Sequence, residues 1–342
     1  MRLVLFAPNV HTGGGLTLLE ALLRAAPGTA DLRLILDERA RRALTIPQGA
    51  QVSWTAHSAA ARWRAEKLLA TWAGPGSTVL CFHNLPPLFA RGARVLVFQQ
   101  NRLLLERTPL HGYPWKSAMR LRLERFLAGR LSGTVSAYMV QTPSMARSVR
   151  QWWRGEGCPP VHVVPFREPM AGAAGELPKA WDFVYVSDGE AHKNHLALLQ
   201  AWVLLAEQGV RPSLALTLGP RHAALAAQAE ALAARHGLKL HNTGPLTRAQ
   251  VADLYRQSGA LIFPSTLESF GLPLLEATDA GLPVLAPELD YVRDVCEPAQ
   301  TFDPASPVSI ARAVRRHLGA PEPRVPIVQA DRFWKLLAED RQ

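Results

Sequence analysis

The sequence predicts an α/β protein made of two doubly wound, parallel-sheet domains facing each other across a cleft. Three observations carry this. At 342 residues, two domains are the natural expectation. Both halves open alike, with a short apolar run, a glycine-rich or polar loop and an amphipathic helix. In the first half these are "RLVLFAP", "NVHTGGG" and "LTLLEALLRAA"; in the second, "WDFVYVS", "DGEAHKN" and "HLALLQAWVLLAEQG". Between the halves, "FREPMAGAAGELPKA" (Phe166 to Ala180) is rich in Pro, Gly and Ala without periodicity, as an interdomain linker is.

Taken in order, the first domain (residues 1–168) continues with "STVLCFHN", "RVLVFQQN", "AYMVQT" and "VHVVP". The second (180–322) continues with "SLALTLG", "KLHNTG", "ALIFPS" and "PVLAPE", separated by Ala/Leu-rich helical stretches such as "AALAAQAEALAARHG". Near-continuous apolar strands alternating with helices imply Rossmann-like sheets covered on both faces. The end of the chain, "QADRFWKLLAEDRQ", reads as a terminal helix within 323–342. In such folds ligands sit beside the loops at the carboxyl ends of the strands.

Composition is that of a soluble globular protein, 48% hydrophobic and 19% charged. Cys81, Cys158 and Cys296 lie far apart without metal-ligand spacing, which points to a reducing, cytoplasmic compartment. No window approaches the length of a membrane span. The net charge of +10 is uneven: residues 1–180 hold 23 Lys+Arg against 10 Asp+Glu, and the remainder 15 against 18. A basic first half calls for an acidic partner, such as anionic lipid or a phosphorylated acceptor; no nucleic-acid-binding motif accompanies it.

The densest motif is "STLESFGLPLLEATDAGLPV" (Ser265 to Val284). It follows a buried strand, so its first residues form the loop at that strand's carboxyl end. Pro273 suits the first position of a helix, and Gly271 allows a ligand close to the backbone. The N–H groups of Phe270, Gly271 and Leu272 are then free at a helix N-terminus, an anion site that fits a diphosphate. Glu268 precedes that site and Glu276 lies one turn into the helix; a carboxylate accepts two hydroxyl hydrogen bonds, which suits vicinal diols. A Glu in a first helical turn is also favoured by the dipole alone.

The E-x7-E spacing of Glu268 and Glu276, with "ESFGLPLLEA" followed by "GLPVLA", resembles the donor-binding signature of family-4 retaining glycosyltransferases of the GT-B type. The likeness is clearest over residues 182–308. It implies two facing Rossmann-like domains, with a nucleoside diphosphate sugar (NDP-sugar) held mainly by the second and an acceptor mainly by the first. Glu268 would contact the sugar hydroxyls, Glu276 the ribose, and the amides of Phe270, Gly271 and Leu272 the phosphates. Lys193 matches the family's lysine, whose charge offsets the leaving diphosphate. The family's Arg earlier in that loop is replaced by Ser187-Asp188, with His192 or Arg167 as candidate substitutes.

Gly13, Gly14 and Gly15 would face the donor phosphates across the cleft, or form a tight strand-to-helix turn. His83, at the end of a buried strand beside Asn84, is either a sugar contact or a hydrogen-bonded structural histidine. Gln100, Asn101 and Arg102 end another strand. Asn242, Thr243 and Gly244 resemble the loop that receives the nucleobase through backbone groups. "YPWKSAMRLRLERFLAGRL" interleaves Lys116, Arg120, Arg122 and Arg125 with Trp115, Met119, Leu121, Leu123 and Phe126. As a helix it fits either an anionic membrane surface or a core-packed helix with a solvated basic face.

The expectation is a metal-independent retaining glycosyltransferase acting on a saccharide or lipid-linked acceptor in surface polysaccharide or glycoconjugate synthesis. It needs no cofactor beyond its donor substrate and no metal site, is cytoplasmic, and can be peripheral at the inner membrane. The alternatives are an NDP-sugar epimerase of the same fold and a non-enzymatic basic lipid- or nucleic-acid-binding module.

Overall fold

The computed structural model describes residues 2–327 apart from 29–30, 91, 107–109, 111–112, 155–156, 171–176, 324 and 326, together with 330 and 332. The helix expected within 323–342 lies largely outside the described residues.

The first domain runs β1 (Arg2–Ala7), α1 (Gly13–Arg24), β2 (Asp31–Asp37), β3 (Gln51–Thr55), α2 (Ala59–Trp72), β4 (Ser77–Cys81) and β5 (Arg94–Phe98). It continues with α3 (Trp115–Leu131), β6 (Ala137–Val140), α4 (Pro143–Trp153) and β7 (Val161–Val163). The second domain opens with β8 (Trp181–Tyr185), α5 (His195–Glu207), β9 (Leu214–Leu216), α6 (Ala223–His236) and β10 (Leu240–Asn242). Then follow α7 (Arg248–Arg256), β11 (Ser258–Ile262), α8 (Leu272–Asp279), β12 (Val284–Pro287), α9 (Asp290–Arg293), β13 (Gln300–Phe302) and α10 (Pro307–His317).

The sheets have orders β3-β2-β1-β4-β5-β6-β7 and β10-β9-β8-β11-β12-β13, and every described pairing is parallel. The period-2 geometry of a strand explains the core of the first domain. Val4 and Phe6 of β1 join one face with Ile35, Val79 and Val97, while Leu5 and Ala7 join the other with Leu34 and Leu36. The second domain has one larger core around Trp202, Tyr185 and Phe263. There the Trp202 indole N–H donates to the Pro212 carbonyl at 3.0 Å, so the buried ring leaves no polar atom unmet.

Strand order reverses between β1 and β4 in one sheet and between β8 and β11 in the other. Ligands of doubly wound folds bind outside the strand ends at such reversals. The loops leaving β1, β4, β8 and β11 carry the glycine triplet, His83, Lys193 and Glu268.

The domains touch along several seams. Leu272 packs into the core of the first domain, and Leu267 joins a small cluster of Leu103, Leu104, Leu110, Ala118 and Leu121 beneath α3. Asp290 pairs with both Arg102 and Arg147 at 3.3 Å. The Asp294 carboxylate accepts from the Ser144 amide, in the first turn of α4, at 2.7 Å. The Thr142 hydroxyl donates to the Ser269 carbonyl at 3.0 Å.

Candidate functional site

The loop between β11 and α8 is shaped by Gly271. This residue caps α8 at φ +70 and ψ +53, a left-handed conformation that glycine adopts without strain. The helix begins at Leu272, so Pro273 occupies the second helical position, one later than expected, where its missing N–H is still one of the helix's unpaired four. Among the described residues, the amides of Phe270, Gly271 and Leu272 donate to no acceptor. They remain available at the positive end of α8.

A second loop is fastened to this one. The His192 carbonyl accepts from the Thr266 amide at 2.8 Å and from the hydroxyls of Thr266 and Ser265. Asn194, itself left-handed at φ +61, donates to the Pro264 and Pro304 carbonyls at 3.2 and 2.7 Å. Two buried tyrosines add struts: Tyr185 donates to the Lys193 carbonyl at 2.7 Å and Tyr291 to the Ser265 carbonyl at 2.6 Å. Gly189 is required sterically, because a Cβ there would stand 2.5 Å from the His222 ring.

On this platform Lys193 and Glu268, 75 residues apart, meet directly. Nζ and Oε1 are 2.6 Å apart, and the side chains are only 16% and 12% exposed. The pair sits beside the unpaired amides, so cation, carboxylate and helix N-terminus form one group. Glu276 is half-buried one turn along α8, and the Tyr255 hydroxyl donates to its Oε2 at 3.4 Å. Burial holds its pKa above the usual carboxylate range, against the pull of Arg248, the Tyr255 hydrogen bond and Arg167.

The first domain closes over this group with its glycine loop. Gly13 opens α1 at φ +64, and a Cβ on Gly14 would lie 3.1 Å from Leu272 Cδ1. The start of α1 therefore abuts the start of α8 across the cleft, and Thr12 makes no side-chain cap. Gly15 lies near Val10 and the Gln100 side chain. A side chain at Gly14 would crowd the Leu272 methyl, so glycine suits this close approach.

Both substitutes expected for the missing loop arginine are engaged with other protein groups. Arg167 makes a two-pronged ion pair with Asp279 at the far end of α8, one contact at 2.7 Å. Burial, and then the neighbouring Lys193, hold the His192 pKa below its ordinary value, and its Nδ1 is hydrogen-bonded to the Tyr113 hydroxyl at 2.9 Å. His195 is also neutral, its pKa pushed down to about 3 by burial. Local positive charge comes from Lys193 and the helix N-termini.

His83 is brought to Arg62 and not to Lys193 or Glu268. It is buried, its Nδ1 donates to the Phe6 carbonyl at 3.2 Å, and its Nε2 accepts from the Arg62 guanidinium at 2.6 Å. Burial and the adjacent cation hold its pKa well below normal. Both nitrogens are thus hydrogen-bonded within the first domain. Asn242 clasps the backbone N–H and C=O of Leu218 at 2.8 and 3.1 Å, Thr243 donates to the Leu216 carbonyl, and Gly244 turns at φ +73. These side chains serve the loop itself, and the Thr243 and Gly244 amides are also bonded within it, to the Leu216 carbonyl at 2.9 Å and the Asn242 side chain at 3.4 Å.

Sequence reasoning missed Tyr113, Tyr255, Thr142, Asp290 and Asp294, whose partners lie between 21 and 188 residues away. No local pattern marks such contacts.

Residues 168–332 match the family described as glycosyl transferases group 1. Over 69 residues the chain is 42% identical to the serotype-specific mannosyltransferase WbdA of Escherichia coli, covering 20% of this chain and 8% of that one. Over 60 residues it is 43% identical to the D-inositol 3-phosphate glycosyltransferase of Streptomyces bingchenggensis, covering 17% of this chain and 13% of the other. The matched segments thus span a small part of those relatives. Among solved structures, Anabaena HepE in complex with UDP and glucose superposes with a TM-score of 0.65 at 14% identity, covering 93% of this chain and 90% of its own. The sucrose-phosphate synthase of Thermosynechococcus elongatus gives 0.66 at 14%, covering 94% and 90%. The lipopolysaccharide outer core galactosyltransferase WaaB gives 0.62 at 14%, covering 93% and 90%. The architecture is the GT-B fold: two Rossmann-like parallel-sheet domains.

Proposed function

We propose that the protein is a retaining glycosyltransferase that moves a sugar from an NDP-sugar to a saccharide or lipid-linked acceptor in surface polysaccharide or glycoconjugate synthesis. The observation that carries this reading is the meeting of Lys193 and Glu268 beside the open N-terminus of α8, directly across from Gly14. Relatives named as mannosyl- and galactosyltransferases support it, as do solved structures of the same fold that hold UDP and UDP-glucose.

In this reading the donor diphosphate takes the place of Glu268 as partner of Lys193 and accepts from the amides of Phe270, Gly271 and Leu272. Charge that grows on the departing diphosphate meets fixed dipoles and one cation in a site largely shielded from water. Glu268, released, accepts from hydroxyls of the transferring sugar. Glu276, held by Tyr255, accepts from the ribose hydroxyls. The glycine loop closes over the phosphates, and the backbone at Thr243 and Gly244 receives the base. His83, with both nitrogens engaged inside the first domain, makes no donor contact. No protein nucleophile is assigned, and retention follows from acceptor attack on the face the diphosphate leaves. Lys193 and the helix N-termini supply the charge a divalent ion would, so transfer proceeds in EDTA.

The test is to incubate the protein with UDP-glucose, UDP-galactose and GDP-mannose, with and without alkyl glucoside acceptors. Nucleotide release that requires acceptor, with an α-linked product from an α-linked donor, is expected. Epimerised donor formed without acceptor would overturn the reading, as would inverted product; transfer abolished by EDTA and restored by Mg2+ would overturn metal independence.

A further inference from the structure

Helix α3 is the one place where the sequence offered two opposed packings, and the structure chooses between them. Its inner face buries Ala118 and Leu121 against Leu103, Leu104 and Leu110, with Leu85, Tyr113 and Leu267 packed alongside. Its outer face carries Trp115, Met119, Leu123 and Phe126, which are 72%, 53%, 58% and 66% exposed. Their spacings of four, four and three residues place them on one stripe, roughly 16 Å long at helical rise. A core-packed helix with a solvated basic face would have turned these four inward.

The charges flank that stripe. At 100° per residue Lys116 and Arg120 fall on one side, Arg122 on the other, and Arg130 within its last turn. All four are exposed. Arg125 instead turns inward, donating to the Leu103 carbonyl at 2.7 Å. The helix's one acid, Glu124, is half-buried, with its pKa raised by burial against the pull of Arg120, whose Nε lies 3.8 Å from Glu124 Oε1. The outward face is thus apolar and predominantly cationic, its one partly exposed carboxylate, Glu124, pairing with Arg120 while Lys116, Arg122 and Arg130 add further positive charge. No helix among the described residues is long and apolar enough to cross a membrane.

We infer that α3 is an interfacial docking helix that lies flat on an anionic lipid bilayer, its four large apolar side chains in the headgroup boundary and its cations on lipid phosphates. Aromatic residues beside Lys and Arg are the chemistry of that boundary. The stripe is narrow and interrupted by cations, so apolar anchoring alone does not hold the protein, and the surface must be anionic. The same helix borders the candidate site from within. Leu267 on its inner face adjoins Glu268, and Tyr113, just before it, is hydrogen-bonded to His192 beside Lys193. On the glycosyltransferase reading, docking brings the cleft to a lipid-linked acceptor. Docking itself does not depend on that reading.

The experiment is co-sedimentation of the whole chain with phosphatidylcholine vesicles with and without 30% phosphatidylglycerol, at low and moderate salt. The variants are Trp115→Ser/Phe126→Ser and Lys116→Glu/Arg120→Glu, whose folding is checked by circular dichroism. Wild type should pellet with the anionic vesicles only, and less as salt rises. A basic residue near an anionic surface contributes about fivefold, so the charge variant should bind at least about thirtyfold more weakly. The apolar variant should also lose roughly tenfold or more. Equal binding to neutral vesicles, no binding to either, or variants that bind like wild type would overturn the inference. So would loss of self-association, by light scattering, in the apolar variant with vesicle binding intact, which would make the stripe a contact between copies. Thermal stabilisation by nucleotide, measured without vesicles, should be unchanged in both variants, so a failed docking test leaves the donor site separately assessed.

Discussion

Replacing Lys193 and Glu268 singly and together separates the two roles of their contact. With a 2.6 Å separation and side chains 16% and 12% exposed, the pair is closer to a buried than a surface ion pair. Breaking a fully buried pair costs about 3–5 kcal/mol and an exposed one about 0–1 kcal/mol. Discounting for the remaining exposure, Lys193→Ala and Glu268→Ala should each destabilise by about 2 kcal/mol, because each strands one charge. The double variant should cost less than their sum, with about 1–2 kcal/mol of coupling. For a domain of this size, about 2 kcal/mol lowers Tm by roughly 5–8 °C, read by thermal denaturation. Ligand binding must then divide the pair. Lys193→Ala should lose nucleoside diphosphate affinity, by roughly tenfold or more for a charge-assisted contact. Glu268→Ala frees the lysine, so diphosphate affinity should hold or rise while the preference for NDP-sugar over NDP disappears. Singles that melt with the parent, additive losses, or equal nucleotide weakening in both variants would refute the account.

Gly271→Ala forces a side chain into φ +70, with its Cβ 2.9 Å from the buried Leu274. It should destabilise by about 2–3 kcal/mol, whereas Gly319→Ala at φ +72, with open space around its Cβ, should cost only the backbone share of about 1 kcal/mol; chemical denaturation compares them. Burial raises the Glu276 pKa in the folded state, so the folded protein holds that proton more tightly. Its favourable contribution is complete below the unfolded carboxyl pKa of about 4.3 and is lost as pH rises through the folded one. Glu276→Gln should therefore melt above the parent at neutral pH, converge with it near pH 4, and bind nucleotide roughly tenfold or more weakly; melting curves across pH and titration check both. Asp290→Asn weakens the partly exposed Arg102 and Arg147 contacts, so stability should fall by less than about 1 kcal/mol while the domains spend more time apart. An increased radius of gyration in X-ray scattering is the expected readout.

Much of the fold was legible because its strands are near-continuous apolar runs. The exceptions have physical reasons. β2 begins and ends with aspartates and carries Arg33 within, and Asp37 is paired with Arg39 in the turn that follows, so "DLRLILD" lacks the near-continuous apolar run. β3, "QVSWT", alternates as an edge strand does, and β13 is three residues long. In the site, Glu268, Glu276 and Gly271 were legible from turn and helix-start chemistry, and Lys193 only through the family resemblance. That Lys193 and Glu268 touch was not, since their contact depends on two loops fastened by the His192 carbonyl and Asn194. The periodicity of α3 was equally plain, but which face turns outward depends on Leu103, Leu104 and Leu267, which no helical pattern reveals.

Calorimetric titration of UDP, GDP, ADP and TDP into wild type, Lys193→Ala and Glu276→Gln tests the central claim most directly. The account predicts saturable binding of at least one of the four by wild type, weakened roughly tenfold or more in both variants. Binding of none by folded wild type, or binding unaffected by either substitution, would contradict it.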